Sequence, residues 1–304
     1  MKQFLWAFAL LAGTAQAQEM TIETCRGSVA TLKEVVDIPS VSPTVDPIGR
    51  CTAVDVVLYQ DENLKLRADW LYWRLDGTER WINERLPPTR IEMSAEGIRT
   101  ETKTGDVVLD YLLSVQSKRA GIFADVIVEW HEDESELVLE TAYLDFGGLG
   151  HVELSGRVAG VNLSNRLTMR ASALTAALTS LDLTVETTGL FESYALIPLG
   201  TLVLRGEADP ARAVAIIKSH RISDIAVLDP DLIDENSKDA LIRLAEEMPN
   251  PNGELNLSIS SVDGISLLLL GSTFLGRNFE GIEDALSIFT STDLKIDWTA
   301  LSKP

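Results

Sequence analysis

The sequence predicts an α+β fold: an extended, mostly antiparallel β-sheet, or a pair of sheets, with helices packed on one face. Three observations carry this. Apolar and polar residues alternate with period two in at least seven stretches, the pattern of strands with one wet face. Stretches with helical spacing are fewer and lie between those strands. The 304 residues are 45% hydrophobic and 24% charged, a globular composition long enough for a full core without metals or many disulfides.

Met1 to Ala17 reads as a cleaved secretory leader, with Lys2, an apolar run from Phe4 to Ala12, and Ala15-Gln16-Ala17 at the cleavage position. That run is roughly half of the ~20 residues needed to cross a bilayer. No cysteine follows it to carry a lipid anchor. Ile265 to Leu270, closed in by Gly264 and Gly271, is also too short to span. The expectation is a periplasmic protein with no transmembrane segment after cleavage. Residues 18–120 form an N-terminal portion with a disulfide-pinned arm, continuous with a β-rich C-terminal portion, 121–304, that carries interspersed helices.

Cys25 and Cys51 are the only thiols, and export places them in an oxidising compartment where an even count favours a bridge. Between them, Ile38 to Pro47 holds three prolines and cannot be regular helix. A redox-active pair would need a spacing such as CxxC, which is not present here.

The strands follow in order. Leu64 to Tyr72, Val152 and Leu154, Leu181 to Val185, Leu255 to Ile259, and Leu294 to Trp298 show the alternation, and Val54 to Val57 and Phe123 to Trp130 are further candidates with a less clean pattern. Arg90 to Met93 and Ile98 to Thr102 read as a hairpin turning at Ala95-Glu96-Gly97, where the glycine supplies a positive φ. Thr78 is placed to cap a helix carrying Trp81, Ile82 and Leu86, which Pro87-Pro88 stops. Asp106 is placed to start another with Val107, Val108, Tyr111, Leu112 and Val115 on one face, although Val107 to Leu109 would also suit a strand. Asp209-Pro210 is the clearest helix start, a capping carboxylate followed by proline at the first helical position; Val214 and Ile217 mark its buried face and His220 its end. Leu241, Leu244, Ala245 and Met248 form a stripe ending at Pro249. Asn278 caps a last one, with Phe279, Ile282, Ala285, Leu286 and Phe289. Asn250-Pro251-Asn252-Gly253 is a strong turn between the last two helix–strand units. Ala142 to Leu149 and Leu183 to Leu190 echo each other weakly, each a strand closing on an acidic residue before Gly-Leu, without establishing a repeat.

The run Trp130 to Leu163, the run Leu181 to Leu199 and the Pro249 to Leu257 turn-and-strand resemble uncharacterised secreted proteins of alphaproteobacteria. More distantly, their layout is similar to AsmA-like and YdgA-like envelope proteins. The resemblance covers half to two-thirds of the chain. It implies a periplasmic location and a role in envelope maintenance or in handling apolar lipid, and it supplies no catalytic residues. The missing membrane anchor departs from the AsmA-like pattern.

The formal net charge of −20 repels phosphate backbones and anionic lipid surfaces, which excludes nucleic acid as a partner. There is no GxSxG elbow and no HExxH zinc motif. Of three histidines, His131 sits in a turn, His151 on a wet strand face and His220 at a helix end. The acidic runs His131 to Glu136 and Asp229 to Glu235 lack the spacing and glycine of a calcium loop and read as solvated turns, so no metal and no cofactor are expected. Phe146 to Gly150 is glycine-rich but precedes a strand, so it is a tight turn rather than a phosphate cradle. Trp70, Tyr72 and Trp73 share one strand and put aromatics on both of its faces. The expected function is a soluble periplasmic binding or envelope-maintenance protein that holds an apolar small molecule or an envelope protein, with Trp70 or Trp73 lining the binding surface. The competing expectation is a hydrolase acting on envelope material with carboxylates as acid and base.

Overall fold

The computed structural model describes residues 20–35, 41–60, 62–119, 121–230, 232–276, 283, 286–290 and 292–301. The leader lies outside the described residues, as do Asn278, Phe279, Ile282 and Ala285 of the last expected helix.

One open antiparallel sheet of ten strands organises the chain, each strand pairing with the one before it in sequence. The strands are β1 (Thr44–Val45), β2 (Cys51–Gln60), β3 (Leu64–Asp76), β4 (Arg90–Thr102), β5 (Ile122–His131), β6 (Glu136–Asp145), β7 (Gly150–Ala159), β8 (Ala177–Thr187), β9 (Gly253–Ser266) and β10 (Asp293–Ala300). β4 pairs with β5 from Arg90↔Glu129 to Ile98↔Ile122, so the sheet runs across residue 120 without a break. Helices α1 (Ile22–Val35), α2 (Val107–Arg119), α3 (Arg166–Thr175), α4 (Leu196–Val203), α5 (Pro210–Ala226), α6 (Glu235–Glu247) and α7 (Leu267–Gly276) lie between strands or precede them.

All seven alternating stretches are strands. The expected hairpin at Ala95-Glu96-Gly97 is not one: β4 passes straight through it. Gly97 does adopt a positive φ of 64°, but as part of a bulge against β5 between Ala95 and Ile98. A Cβ there would lie 2.8 Å from Asp69 Cγ on β3, so glycine also leaves room for the Asp69 side chain. His220 does not end its helix, because α5 continues to Ala226. Thr78 is no cap either. Its hydroxyl donates to Leu75 O (2.7 Å), and the segment after it is a short π-type turn, Arg80–Glu84, that ends at Arg85 in the left-handed region.

Three apolar clusters lie along the sheet: Trp130 of β5 is buried with Val161 and Ala176 at its middle strands, and the other two clusters sit at its opposite ends. At the first, Cys25 of α1 is disulfide-bonded to Cys51 of β2 with 5.5 Å between Cα atoms, and both are fully buried among Met20, Ala53, Val56, Trp73 and Leu75. The buried Trp73 indole N–H donates to Ser28 Oγ on α1 (3.0 Å), and that of Trp81 donates to Ser28 O (3.2 Å). At the far end, Ile225 of α5 and Ala240 of α6 close over Ile259, Leu294, Ile296 and Trp298. Asp234 caps α6, accepting from Ser237 N–H (3.1 Å) and Ser237 Oγ (2.8 Å). The same Ser237 Oγ accepts from Ile296 N–H (2.9 Å), which ties α6 to the edge strand β10.

Two stability predictions follow from these clusters. Replacing Cys25 and Cys51 by serine should lower the unfolding free energy by about 3 to 4 kcal/mol in urea titration, because the bridge closes a long unfolded-state loop. The Ser237 donors hold the Asp234 carboxyl below its usual range. The stabilisation is therefore complete above the unfolded-state value and lost as pH falls through the lower folded one. Asp234→Ala should cost about 1 kcal/mol at pH 7, and the gap from the parent protein should shrink on acidification below pH ~4.

Candidate functional site

Directly paired residues of an antiparallel ladder share a face, so the register can be followed across the sheet strand by strand. From Cys51 the pairing runs to Trp73, Met93, Val126, Ala142, Leu154, Leu183, Leu257 and Ile296, one residue on each of nine strands and all of them apolar. The next row on the same face runs from Ala53 through Leu71, Ala95, Ala124, Leu144, Val152, Val185 and Leu255 to Trp298, again without a polar side chain. On the other side of the first row, Leu75, Ile91, Val128, Leu139, Gly156, Leu181, Ile259 and Leu294 form a third. At an interstrand spacing of about 4.8 Å, each full row measures roughly 40 Å. The opposite face reads Thr52, Tyr72, Ser94, Asp125, Tyr143, Glu153, Thr184, Asn256 and Asp297 along one such row. The sheet therefore has one dry and one wet face.

The dry face is unevenly covered. Its two ends lie in the clusters under α1 and under α5 and α6. Among the described residues α2 packs against β4, and next to the three rows Trp130 of β5 is buried with Val161 and Ala176, against Leu137 of β6 and Val158 of β7. Side chains of the three rows from β4 to β8 are mostly half-buried, and Met93 and Leu144 are 40% and 37% exposed. Beneath α1 the face opens into a cavity of about 270 Å³ walled by Leu32, Leu71, Trp73, Trp81, Pro88, Ile91 and Met93 among others. Met93 belongs both to this cavity and to the central row, so the two are continuous.

Trp73 lines the cavity and points its indole N–H at α1. Trp70 lies elsewhere: it is 44% exposed and stacks on Tyr72 with 6.1 Å between centroids. Tyr72 belongs to the wet row, so the aromatic pair is outside the cavity. Met93, Leu144 and the other mid-sheet positions carry no individual mark in the sequence. They become visible only when the alternating strands are set side by side in register.

Carboxylates dominate the wet face and are largely engaged there. Arg90 bridges Glu92 (2.9 Å), Glu129 and Glu140 (2.6 Å), and holds the Glu140 carboxyl below its usual range. His151 Nδ1 lies 3.5 Å from Glu186, with its ring 5.4 Å from that of Tyr143. Burial, and then Asp145, Glu153 and Glu186, push the Tyr143 hydroxyl up. Of the first acidic run, His131, Glu134 and Glu136 bring ligand atoms within 4.8 Å of one another. Glu136 already accepts from Arg157 (2.9 Å), while Glu132 accepts from Ser164 Oγ (3.1 Å). Of the second run, Asp234 serves as the α6 cap and Asp231 lies outside the described residues. Asp182 and Asp297 flank Asn256 in a shallow depression of about 260 Å³, where Thr184 Oγ1 and Asn256 Oδ1 lie 2.8 Å apart.

No family model matches this chain, and a comparison with curated proteins finds no match.

The different surroundings of the two tryptophans set an expectation for each. Trp73→Ala should cost about 3 to 5 kcal/mol in urea titration, because it empties a packed site and removes the indole donor to Ser28 Oγ. Trp70→Ala, on the exposed face, should cost less than about 1 kcal/mol.

Proposed function

We propose that this protein is a soluble periplasmic binding protein that holds an apolar, lipid-like ligand along the dry face of its sheet, as part of envelope maintenance. The observation that carries the reading is the set of three apolar rows, in register over strands β2 to β10 and half-covered in the middle. An apolar surface of this extent on a folded protein marks a binding face. At roughly 40 Å, a row exceeds the ~15 Å half-thickness of a bilayer core, so it is long enough for the acyl chains of a membrane lipid. The helices belong to the same reading: packed on the dry side, they close its ends and leave the centre to a ligand. Trp73, at the cavity under α1, supports one end of such a chain with a large apolar surface and a fixed polar handle. The leader-like N-terminus, the buried disulfide and the resemblance to AsmA-like and YdgA-like proteins support the location.

The test is binding of a fluorescent diacylglycerol analogue to the purified mature protein. The expected result is saturable binding that Met93→Gln and Leu144→Gln each weaken about tenfold, since a polar amide would then face the chain. Both positions are partly exposed, so circular dichroism should remain that of the parent protein. A parent protein that binds no such probe overturns the reading.

A further inference from the structure

A second cavity, of about 390 Å³, lies among the helices at the far end of the molecule and is lined by no strand residue. Its walls are α4 on one side and α5 with α6 on the other. Leu196, Leu199 and Val203 follow one another along α4 at helical spacing, and Val214, Ile217 and Leu241 line it from α5 and α6. α4 packs closely on Phe191–Ala195, the turn before it, and meets α5 and α6 across the open space. Leu199 and Val203 are consequently 48% and 53% exposed although they line an apolar wall. Apolar groups bordering an unfilled gap forgo the contacts that a close-packed interior supplies.

Among the described residues, the charged ones lining the cavity are both cations, Lys218 and Arg221, three positions apart on α5. Lys218 Nζ donates to two backbone carbonyls at the end of α6, Glu246 O and Met248 O (3.2 Å). Among the described residues no carboxylate pairs with it. Arg221 meets Asp224 through a single nitrogen at 3.2 Å, and its side chain is 58% exposed. In a chain of net charge −20, two cations on a carbon-lined cavity are complementary to an anionic head joined to an apolar tail.

We infer that the α4–α5–α6 cavity is a binding site for a single-chain anionic amphiphile, its tail between the helices and its head at Lys218 and Arg221. This site shares no residue with the dry face of the sheet and does not depend on the function proposed for it.

The experiment is calorimetric titration of the full mature protein with dodecanoate, with dodecyl phosphate, and with dodecanol as the uncharged control. Both anions should bind, and dodecanol about tenfold or more weakly, the loss expected for one or two charge-assisted hydrogen bonds. Arg221→Gln should weaken both anions about tenfold and leave dodecanol unchanged. Val203→Trp, which fills the gap from a half-exposed position, should abolish all three without changing the circular dichroism. Met93→Gln on the sheet should leave dodecanoate binding as it is, which separates this site from the other. Equal affinity for dodecanoate and dodecanol, an unaltered Arg221→Gln, a folded Val203→Trp that still binds, or no binding of either anion would overturn the inference. If only one anion binds, the site stands and the head group is identified.

Discussion

Everything in this structure depends on keeping nine consecutive strands in phase. Side chains alternate with period two, so a slip of one residue in any hairpin would turn the rest of that strand over and set polar groups into the dry face. Six of the ladders contain an irregularity in register, for example between Ile127 and Val128, between Leu139 and Ala142, and between Arg157 and Val158. Each inserts residues on one strand, yet the rows on either side remain apolar. The bulges are therefore compensated across neighbouring ladders. Because a bulge bends and twists its strand locally, a series of them shapes the sheet without breaking its two-faced character.

An open sheet must also protect its edges, where unpaired N–H and C=O groups template association with another strand. At β10, α6 meets this requirement from the side: Ser237 accepts from the Ile296 N–H, and Arg243 donates to Trp298 O at 3.3 Å. These two residues lie two apart on β10, the period at which edge groups point outward. The capping carboxylate of Asp234 positions Ser237 for this contact, so one side chain serves helix initiation and edge protection together. At the other edge β1 is only two residues long, and α1, bonded to β2 through Cys25 and Cys51, holds that end of the dry face.

How much of this could be read from the sequence follows from the physics of each element. The strands were legible because each has one wet face, and α5 because Asp209-Pro210 marks its start. Helix α1 was not: its buried residues include Cys25, Ser28 and Thr31, small and partly polar, so no apolar stripe announces it. Helix α4 is apolar nearly all round, which hides the 3.6-residue period, and α3 is short and capped by Asn165 rather than by an acidic residue. Gly97 showed where the backbone needs a positive φ, but a bulge and a turn make the same demand locally and differ only in what pairs beyond them. The dry face was invisible for a related reason. Alternation within a strand gives two faces, and only the register between strands tells whether like faces align.

The distribution of exposed apolar side chains bears on the binding surface proposed above. A core that merely fails to close would leave its gaps where strands end or loops vary. Here the half-covered rows cross the middle of the sheet, beside the buried Trp130, while helices with buried anchors lie at both ends. Two further helices touch the sheet. α2 packs against β4 yet leaves Val108, Tyr111 and Leu112 more than half exposed, and α7 packs against β9 yet leaves Leu268 at 57%. On the proposed reading, an apolar molecule laid on the central strands would meet a surface bordered by further apolar groups. It would also stabilise the native state through linkage, since the unfolded chain has no such aligned rows to offer it.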